Sequence, residues 1–121
     1  MAQKTLSDLE QEVMNFIWDK NESSVRDVLE YLNKTRKIAY TTVATIIQRL
    51  ENKGFLIKRE QGKTNYYKAK LAKQTYTKRI ADSFIKKFVG SFGDAAIASF
   101  AEGLDDLSAD KRKYLLSLLE K

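Results

Sequence analysis

The first half of the chain contains three stretches in which apolar residues recur three and four positions apart. The first follows Ser7, the second follows Ser24, and the third ends at Gly54. This spacing is the pattern of an amphipathic helix, so it predicts three helices, each with one buried side. The apolar positions are Leu9, Val13, Phe16 and Ile17, then Val25, Val28, Leu29 and Leu32, and finally Val43, Ile46, Ile47 and Leu50.

The ends of these stretches also fit helices. Ser7 and Glu10 fit a capping box, and Ser24 with Asp27 marks the start of the second helix. The segment 21–23 predicts a turn between the first two helices. Gly54 permits the left-handed backbone of a helix C-cap, after which the chain can fold back onto the third helix.

The pattern changes again after Gly54. The segments 55–60 and 64–69 are rich in apolar, aromatic and basic residues, and a glycine-containing turn, 61–63, separates them. Two such segments joined by a short turn predict a β-hairpin. Three helices followed by a basic hairpin are the arrangement of a winged helix-turn-helix domain.

The polar side of the third predicted helix carries side chains that hydrogen-bond DNA bases and phosphates. Hydroxyls, an amide, an aromatic ring and a guanidinium lie there, and no acid precedes Glu51. We therefore predict a DNA-binding surface on this helix. Its candidate residues are Tyr40, Thr41, Thr42, Thr45, Gln48 and Arg49.

Positive charge is concentrated around this helix. The segment 34–70 has ten Lys or Arg and two acids, whereas 1–33 has three bases and seven acids, and 71–121 has nine bases and seven acids. A basic segment flanked by less basic ones favours a polyanionic partner, and double-stranded DNA is the partner we predict.

The second half predicts further helices. A helical pattern runs from Lys73 to Val89, a break is predicted at 90–93, a short apolar segment covers 95–101, and Ser108 can cap a last helix. So few short helices cannot bury all their large apolar side chains alone, which predicts a homodimer; the alternative is that this tail packs on its own N-terminal half. The candidate dimerisation residues are Ile80, Phe84, Phe88, Ile97, Phe100, Tyr114, Leu115 and Leu118.

Composition excludes several classes of function. The 121 residues include no Cys and no His, so disulfides, thiolate or imidazole metal sites and imidazole catalysis are ruled out. No glycine-rich phosphate loop is present. We therefore predict no enzyme activity and no cofactor. The absence of a long apolar run and of a signal peptide predicts a cytoplasmic protein that is not itself a membrane protein.

The chain resembles a known family in three places. Ser7, Glu10, Val13, Met14 and Trp18 form the pattern S-x-x-E-x-x-V-M-x-x-x-W, residues 42–54 form T-V-x-T-x-x-x-R-L-x-x-K-G, and residues 64–67 read T-N-Y-Y. On these motifs the chain resembles the penicillinase repressor family of bacterial winged-helix repressors. The resemblance implies a mainly α fold with a small β-wing: a winged helix-turn-helix DNA-binding domain at 1–72 and a helical dimerisation domain at 73–121.

The resemblance also implies function. Members of the family repress transcription as homodimers on palindromic operators. By position, Thr41, Thr42, Thr45 and Arg49 fall on the family's DNA-contacting helix, and the wing contributes Lys63, Thr64, Asn65 and Tyr66. Direct metal sensing, which one branch performs with a cysteine-rich tail, is not predicted because this chain has no cysteine.

Proteolysis relieves repression in the drug-resistance members of the family. A membrane sensor-protease, or a protease it induces, cuts an Asn–Phe bond in the C-terminal domain. The matching bond here joins Ser99 to Phe100, which is the candidate cleavage site.

Two other functions are compatible with the sequence. A winged-helix domain can serve as a protein–protein adaptor, with its basic face on an acidic protein. Alternatively, a one-component regulator could bind a small effector in its C-terminal domain, in a pocket lined by Phe84, Phe88, Phe92 and Phe100.

Overall fold

The computed structural model describes residues 5–120. Within that range the predicted fold class, mainly α with a small β-wing, is confirmed. The elements are α1 (Asp8–Lys20), β1 (Glu22–Ser24), α2 (Val25–Leu32), α3 (Tyr40–Asn52), β2 (Leu56–Gln61), β3 (Thr64–Ala69), α4 (Lys73–Phe92), α5 (Asp94–Gly103), a 3-10 turn (Leu104–Asp106) and α6 (Ala109–Leu119). None of the helices in this range is long and apolar enough to cross a membrane.

Short polar side chains start α1 and α2 as predicted. At α1 the Ser7 hydroxyl accepts the Glu10 N–H at 3.3 Å, and the Glu10 carboxylate accepts the Ser7 N–H at 2.9 Å. Ser24 and Asp27 form the same reciprocal pair at α2, at 3.1 and 3.0 Å. Each pair provides acceptors for N–H groups that the helix itself leaves without a partner.

The C-terminal end of α3 also follows the prediction. Gly54 has a φ of 87°, a conformation that side chains with a Cβ rarely adopt. The chain then reverses, and the Phe55 N–H donates to the Leu50 carbonyl at 2.9 Å. This reversal directs β2 away from the end of α3 and buries the Phe55 ring.

The sheet has one strand more than predicted. Its order is β1-β3-β2, and both pairs are antiparallel. The prediction of a turn at 21–23 was wrong for Glu22 and Ser23, which pair with Lys68 and Tyr67 of β3. The turn is confined to Asn21, whose φ is 70°. The strand was missed because Glu, Ser and Ser are not the β-branched or aromatic residues typical of strands, and their partner strand β3 is distant in sequence.

The N-terminal unit extends to Ile80 and holds a continuous core. The first turns of α4 belong to it, because Tyr76 is buried with its ring 5.2 Å from Phe55 and 5.9 Å from Trp18 between centroids. The Trp18 indole N–H donates to the Leu71 carbonyl at 2.9 Å. The buried apolar residues of this core are Val13, Met14, Ile17, Val28, Leu32, Val43, Ile46, Ile47, Leu50, Phe55, Leu56, Tyr67 and Tyr76.

The C-terminal unit begins at Ala81. The break predicted at 90–93 is confined to its last residue, because α4 continues through Gly90 to Phe92 and the chain turns at Gly93, with a φ of 57°. A glycine inside a helix costs only about 1 kcal/mol, which the surrounding turns of α4 tolerate. Among the described residues of this unit, Ala96 is the one buried apolar side chain.

Candidate nucleic-acid interface

The helix α3 separates its apolar and polar residues as predicted. Its apolar stripe lies in the core, while Ala44 and Glu51 are half-buried. All six predicted DNA-binding residues of this helix lie on its exposed side, and no acid is among its fully exposed residues. These six are Tyr40, Thr41, Thr42, Thr45, Gln48 and Arg49.

The hydroxyl of Thr45 has a partner within its own helix. It donates to the Thr41 carbonyl at 2.9 Å, the usual back-bond of a helical threonine. The hydroxyl proton is therefore occupied, whereas the oxygen can still accept a hydrogen bond. In contact with a base, Thr45 thus offers an acceptor and a methyl group.

The wing is the hairpin of β2 and β3. Gln61 pairs with Thr64, which leaves Gly62 and Lys63 as a two-residue turn, and Gly62 has a φ of 61°. Two-residue hairpin turns require such left-handed residues. Of the predicted wing residues, Lys63, Thr64 and Asn65 are exposed. The turn therefore presents a cation and two polar side chains to solvent.

The fourth predicted wing residue, Tyr66, is half-buried. The Arg59 guanidinium lies over its ring, 5.1 Å from the centroid, and donates to both carboxylate oxygens of Glu22 at 2.7 and 2.9 Å. The hydrogen bond from Arg59 lowers the pKa of Glu22, and the same contact raises the pKa of Arg59. Tyr66 is thus part of a cluster that joins β1 to the wing.

Three of the ten bases in segment 34–70 are in ion pairs with acids of the first 22 residues. Arg36 donates to Glu12 at 2.8 Å, and the other two pairs are Lys53 with Glu10 and Arg59 with Glu22. Their charge is partly neutralised within the N-terminal unit. Among residues 5–120, neither Arg49 nor Lys63 forms an ion pair, so both cations are available to a phosphate or a base.

Glu10 joins the start of α1 to the end of α3. The carboxylate is buried, with 5% of the residue exposed. Lys53 donates to its two oxygens at 2.9 and 3.0 Å, in addition to the bond from the Ser7 backbone. Burial alone raises the pKa of Glu10, but the hydrogen bonds from Lys53 and Ser7 outweigh it, so the pKa is below its ordinary value. The pair holds the C-terminal end of α3 in place.

A polar groove of about 300 Å³ lies between the start of α2, the start of α3 and the wing turn. Sequence reasoning missed one cation in it, Arg26, whose guanidinium carbon is 5.9 Å from the centre of the Tyr40 ring. Arg26 is outside the basic segment, so charge counting did not select it. The signal that could have found it is its position in the helix directly before the polar-faced one. The groove is lined by Ser24, Val25, Arg26, Tyr40, Lys63, Thr64, Asn65 and Tyr67.

Most of the predicted dimerisation residues are accessible in the C-terminal unit. Phe84, Ile97, Phe100, Tyr114 and Leu118 are exposed, and Phe88 and Leu115 are half-buried. Ile80 is the exception, because it packs against the core of the N-terminal unit. Other exposed apolar side chains of the C-terminal unit, absent from the predicted set, are Ile85, Phe92, Leu116 and Leu119.

The phenylalanines of the C-terminal unit form one cluster. Phe88 lies 5.3 Å from Phe84, 5.5 Å from Phe92 and 5.2 Å from Phe100 between ring centroids, and Phe84 lies 5.9 Å from Phe100. The candidate cleavage bond, Ser99–Phe100, lies inside α5 next to this cluster. Both of its residues are exposed.

Acidic residues do not form a metal site in the described part of the chain. No group of three or more Asp or Glu side chains lies close enough there to hold an ion, and the sequence has no His or Cys to add.

Comparison with known proteins decides the family. A family model described as the penicillinase repressor matches residues 6–121. The chain belongs to the penicillinase repressor family. The transcriptional regulator BlaI of Mycobacterium tuberculosis is 31% identical over 123 residues, covering 99% of this chain and 89% of that protein. The methicillin resistance regulatory protein MecI of Mammaliicoccus sciuri is 29% identical over 116 residues, covering 96% of this chain and 94% of that protein.

A solved structure of the same family matches the N-terminal part. The solution structure of the Bacillus licheniformis BlaI monomeric form in complex with the blaP half-operator has a TM-score of 0.52 and 30% identity, and covers 60% of this chain and 89% of that chain. The predicted membership of the penicillinase repressor family and the predicted winged-helix fold are both confirmed.

Proposed function

We propose that this penicillinase repressor family member is a transcriptional repressor that binds palindromic operator DNA as a homodimer. The observation that carries the proposal is the exposed side of α3, which has hydrogen-bonding side chains, the cation of Arg49 and no fully exposed acid. Its named relatives are a transcriptional regulator and a methicillin resistance regulatory protein, and the BlaI of Bacillus licheniformis was solved with a half-operator.

The two DNA-binding elements have different roles in this proposal. The major groove of B-DNA admits an α-helix, so α3 enters it and presents Thr45, Gln48 and Arg49 to base edges. The wing turn, with Lys63, contacts the sugar–phosphate backbone and adds affinity that does not depend on sequence. The Glu10–Lys53 pair acts indirectly by fixing the end of α3.

The exposed apolar surface of the C-terminal unit supports a homodimer. Phe92 is 62% exposed, Tyr114 is 66% exposed and Leu119 is 70% exposed. In its described part, the unit buries a single apolar residue, Ala96. Soluble proteins rarely leave large apolar surfaces in water, and a second copy of this unit would cover these side chains. A two-fold dimer would then contact half-sites about one helical turn apart, ~34–36 Å.

Cleavage between Ser99 and Phe100 is the route by which we propose that repression ends. The helix α5 has ten residues and one buried side chain, Ala96, so its local opening costs little. A cut there would separate α6 from the remaining dimer surface. Two linked half-site contacts would become two independent and weaker ones, and the operator would be released.

The test has three arms: selection of bound DNA, sedimentation, and the fate of the intact chain when the target genes are induced. Selection of bound duplexes from a random pool should return palindromes, and sedimentation of the intact chain at micromolar concentration should show a dimer. Recovery of no bound DNA would contradict the repressor function and favour the adaptor alternative. Recovery of DNA without any enriched sequence would mean that DNA binding is non-specific. The intact chain persisting while its target genes are induced would contradict cleavage and favour a small effector.

A further inference from the structure

The groove beside the start of α3 has an unusual charge distribution. Two cations, Arg26 and Lys63, lie on its lining, together with Ser24, Thr64 and Asn65, and no carboxylate contributes to it. The nearest acid in sequence, Asp27, accepts the Ser24 N–H at 3.0 Å in the α2 cap and lines a different groove. The groove therefore offers cations and neutral hydrogen-bonding groups, which is the chemistry that binds a phosphate.

Arg26 is held in a defined place. Its guanidinium lies 5.9 Å from the centre of the Tyr40 ring, within the range of a cation–π contact. It forms no ion pair with any residue from 5 to 120. A guanidinium in such a contact retains N–H donors along its edge, and these can form paired hydrogen bonds to phosphate oxygens.

The position of the groove matches the path of a DNA strand. With α3 in the major groove and the wing turn over the adjacent minor groove, the sugar–phosphate backbone that separates these grooves lies between the two elements. Tyr40 opens α3 and Lys63 is in the wing turn, and the groove lies between them.

We propose that this groove is a binding site for a DNA backbone phosphodiester, with Arg26 of α2 as a DNA-contacting residue. The inference rests on the proposed function. Arg26 and Lys63 bind the phosphate oxygens from opposite sides of the groove. Tyr40 acts through Arg26 as a positioning residue, because its ring supports the guanidinium, which revises the predicted role of Tyr40 as a direct DNA contact.

The experiment compares Arg26→Gln with a matched control, Lys20→Gln. Lys20 also lies over an aromatic ring, 6.0 Å from the centroid of Phe16, and its removal changes the net charge equally, but it does not line the groove. Binding is measured on a duplex selected from a random pool and on a scrambled duplex of the same composition. Thermal unfolding followed by Trp18 fluorescence verifies that each variant is folded.

We expect Arg26→Gln to weaken binding to both duplexes by about tenfold. The slope of log K against log salt should become shallower by about 0.9, the effect of losing one cation at a phosphate. Lys20→Gln should leave the slope close to that of the unaltered protein. Arg26→Lys, which keeps the charge but not the planar fork, should retain the slope while losing part of the affinity.

Neutral methylphosphonate links placed one at a time along the duplex identify the phosphate. One link should weaken DNA binding by the unaltered protein more than DNA binding by Arg26→Gln, because the variant has already lost the Arg26 part of the contact and keeps only the Lys63 part. If the unaltered protein binds DNA but Arg26→Gln matches Lys20→Gln at every link, the phosphate site is wrong and the proposed function stands. If the unaltered protein binds no duplex, the proposed function is wrong and the site with it.

Discussion

Glu10→Gln should destabilise the N-terminal unit, because it removes the charge that joins α1 to α3. The glutamine oxygen can still accept the Ser7 N–H, but its amide group would face the Lys53 ammonium where the second carboxylate oxygen now lies at 3.0 Å. Hydrogen bonds between charged groups contribute about 1.5–3 kcal/mol each. Because 36% of the Lys53 side chain is exposed and stays hydrated, we expect a loss of about 1–3 kcal/mol in unfolding free energy.

The measurement is thermal unfolding followed by the fluorescence of Trp18. It is the single tryptophan of the chain and belongs to the N-terminal unit, so its signal reports this unit. A unit of this size loses about 4–8 °C in Tm per kcal/mol. The matched control is Glu12→Gln, which removes an acid from the more exposed pair with Arg36 and should change Tm little.

The pH dependence gives a second measurement. Because hydrogen bonds from Lys53 and Ser7 outweigh burial, the pKa of Glu10 is lower in the folded protein than in the unfolded chain. The unfolded chain therefore binds a proton at the Glu10 carboxylate more readily than the folded protein does. The contribution of Glu10 to the unfolding free energy is complete above the ordinary pKa of 4.5, and it is lost as pH falls through the lower pKa of the folded protein. In Glu10→Gln the unfolding free energy should thus fall less between neutral and acidic pH. The part of that fall that is due to Glu22, whose pKa is also lowered, should remain.

Two results together would refute this reasoning. One is a double-mutant cycle in which Glu10→Gln and Lys53→Met are additive, since residues in contact should show a coupling energy of roughly 0.5–3 kcal/mol. The other is an unchanged difference in unfolding free energy between neutral and acidic pH in Glu10→Gln.

Three further predictions concern DNA binding and assembly. Arg49→Ala should weaken binding to the selected operator by about 1–3 kcal/mol in a gel-shift titration, whereas Lys63→Ala should weaken binding to operator and random DNA equally. If Arg49→Ala left the ratio of operator to random affinity unchanged, Arg49 would contact a phosphate and not a base. A 1–72 fragment should have a lower melting temperature than a 1–80 fragment by circular dichroism, because it lacks the buried Tyr76 ring. Equal melting temperatures would mean that α4 does not stabilise the N-terminal core. Phe92→Asp should convert the dimer to monomer in sedimentation, and a variant that stays dimeric would place the interface elsewhere.

Periodicity predicted the N-terminal helices well because each has one clear apolar stripe, and α1 and α2 also have a local N-terminal cap. The α3 stripe and the Ser7 and Ser24 caps depend on residues within a few positions of one another, so the sequence contains them directly. The predicted break at 90–93 was too wide, because a glycine such as Gly90 is compatible with both a break and a helix interior. The turn lies at the last residue of that range, Gly93.

The candidate site was harder to predict where contacts are distant in sequence. The partners of Arg36, Lys53 and Arg59 are 24, 43 and 37 residues away, so a charge count could not show that these cations are paired. Arg26 lies in an otherwise acidic segment and joins the basic surface only because α2 packs beside α3. Local pattern identifies which face of a helix is polar, whereas folding determines which charges remain available.

The short strand β1 has a consequence for the entropy of binding. A two-stranded hairpin alone is marginally stable in water, but β3 is hydrogen-bonded on both sides here, to β2 and to Glu22–Ser24. Ordering a flexible backbone costs about 1–2 kcal/mol per residue. Because β1 orders the base of the wing in the free protein, this conformational entropy is not lost again when the protein binds DNA. A larger share of the contact energy therefore contributes to affinity. Three residues that the sequence did not assign to the interface thus preorganise it.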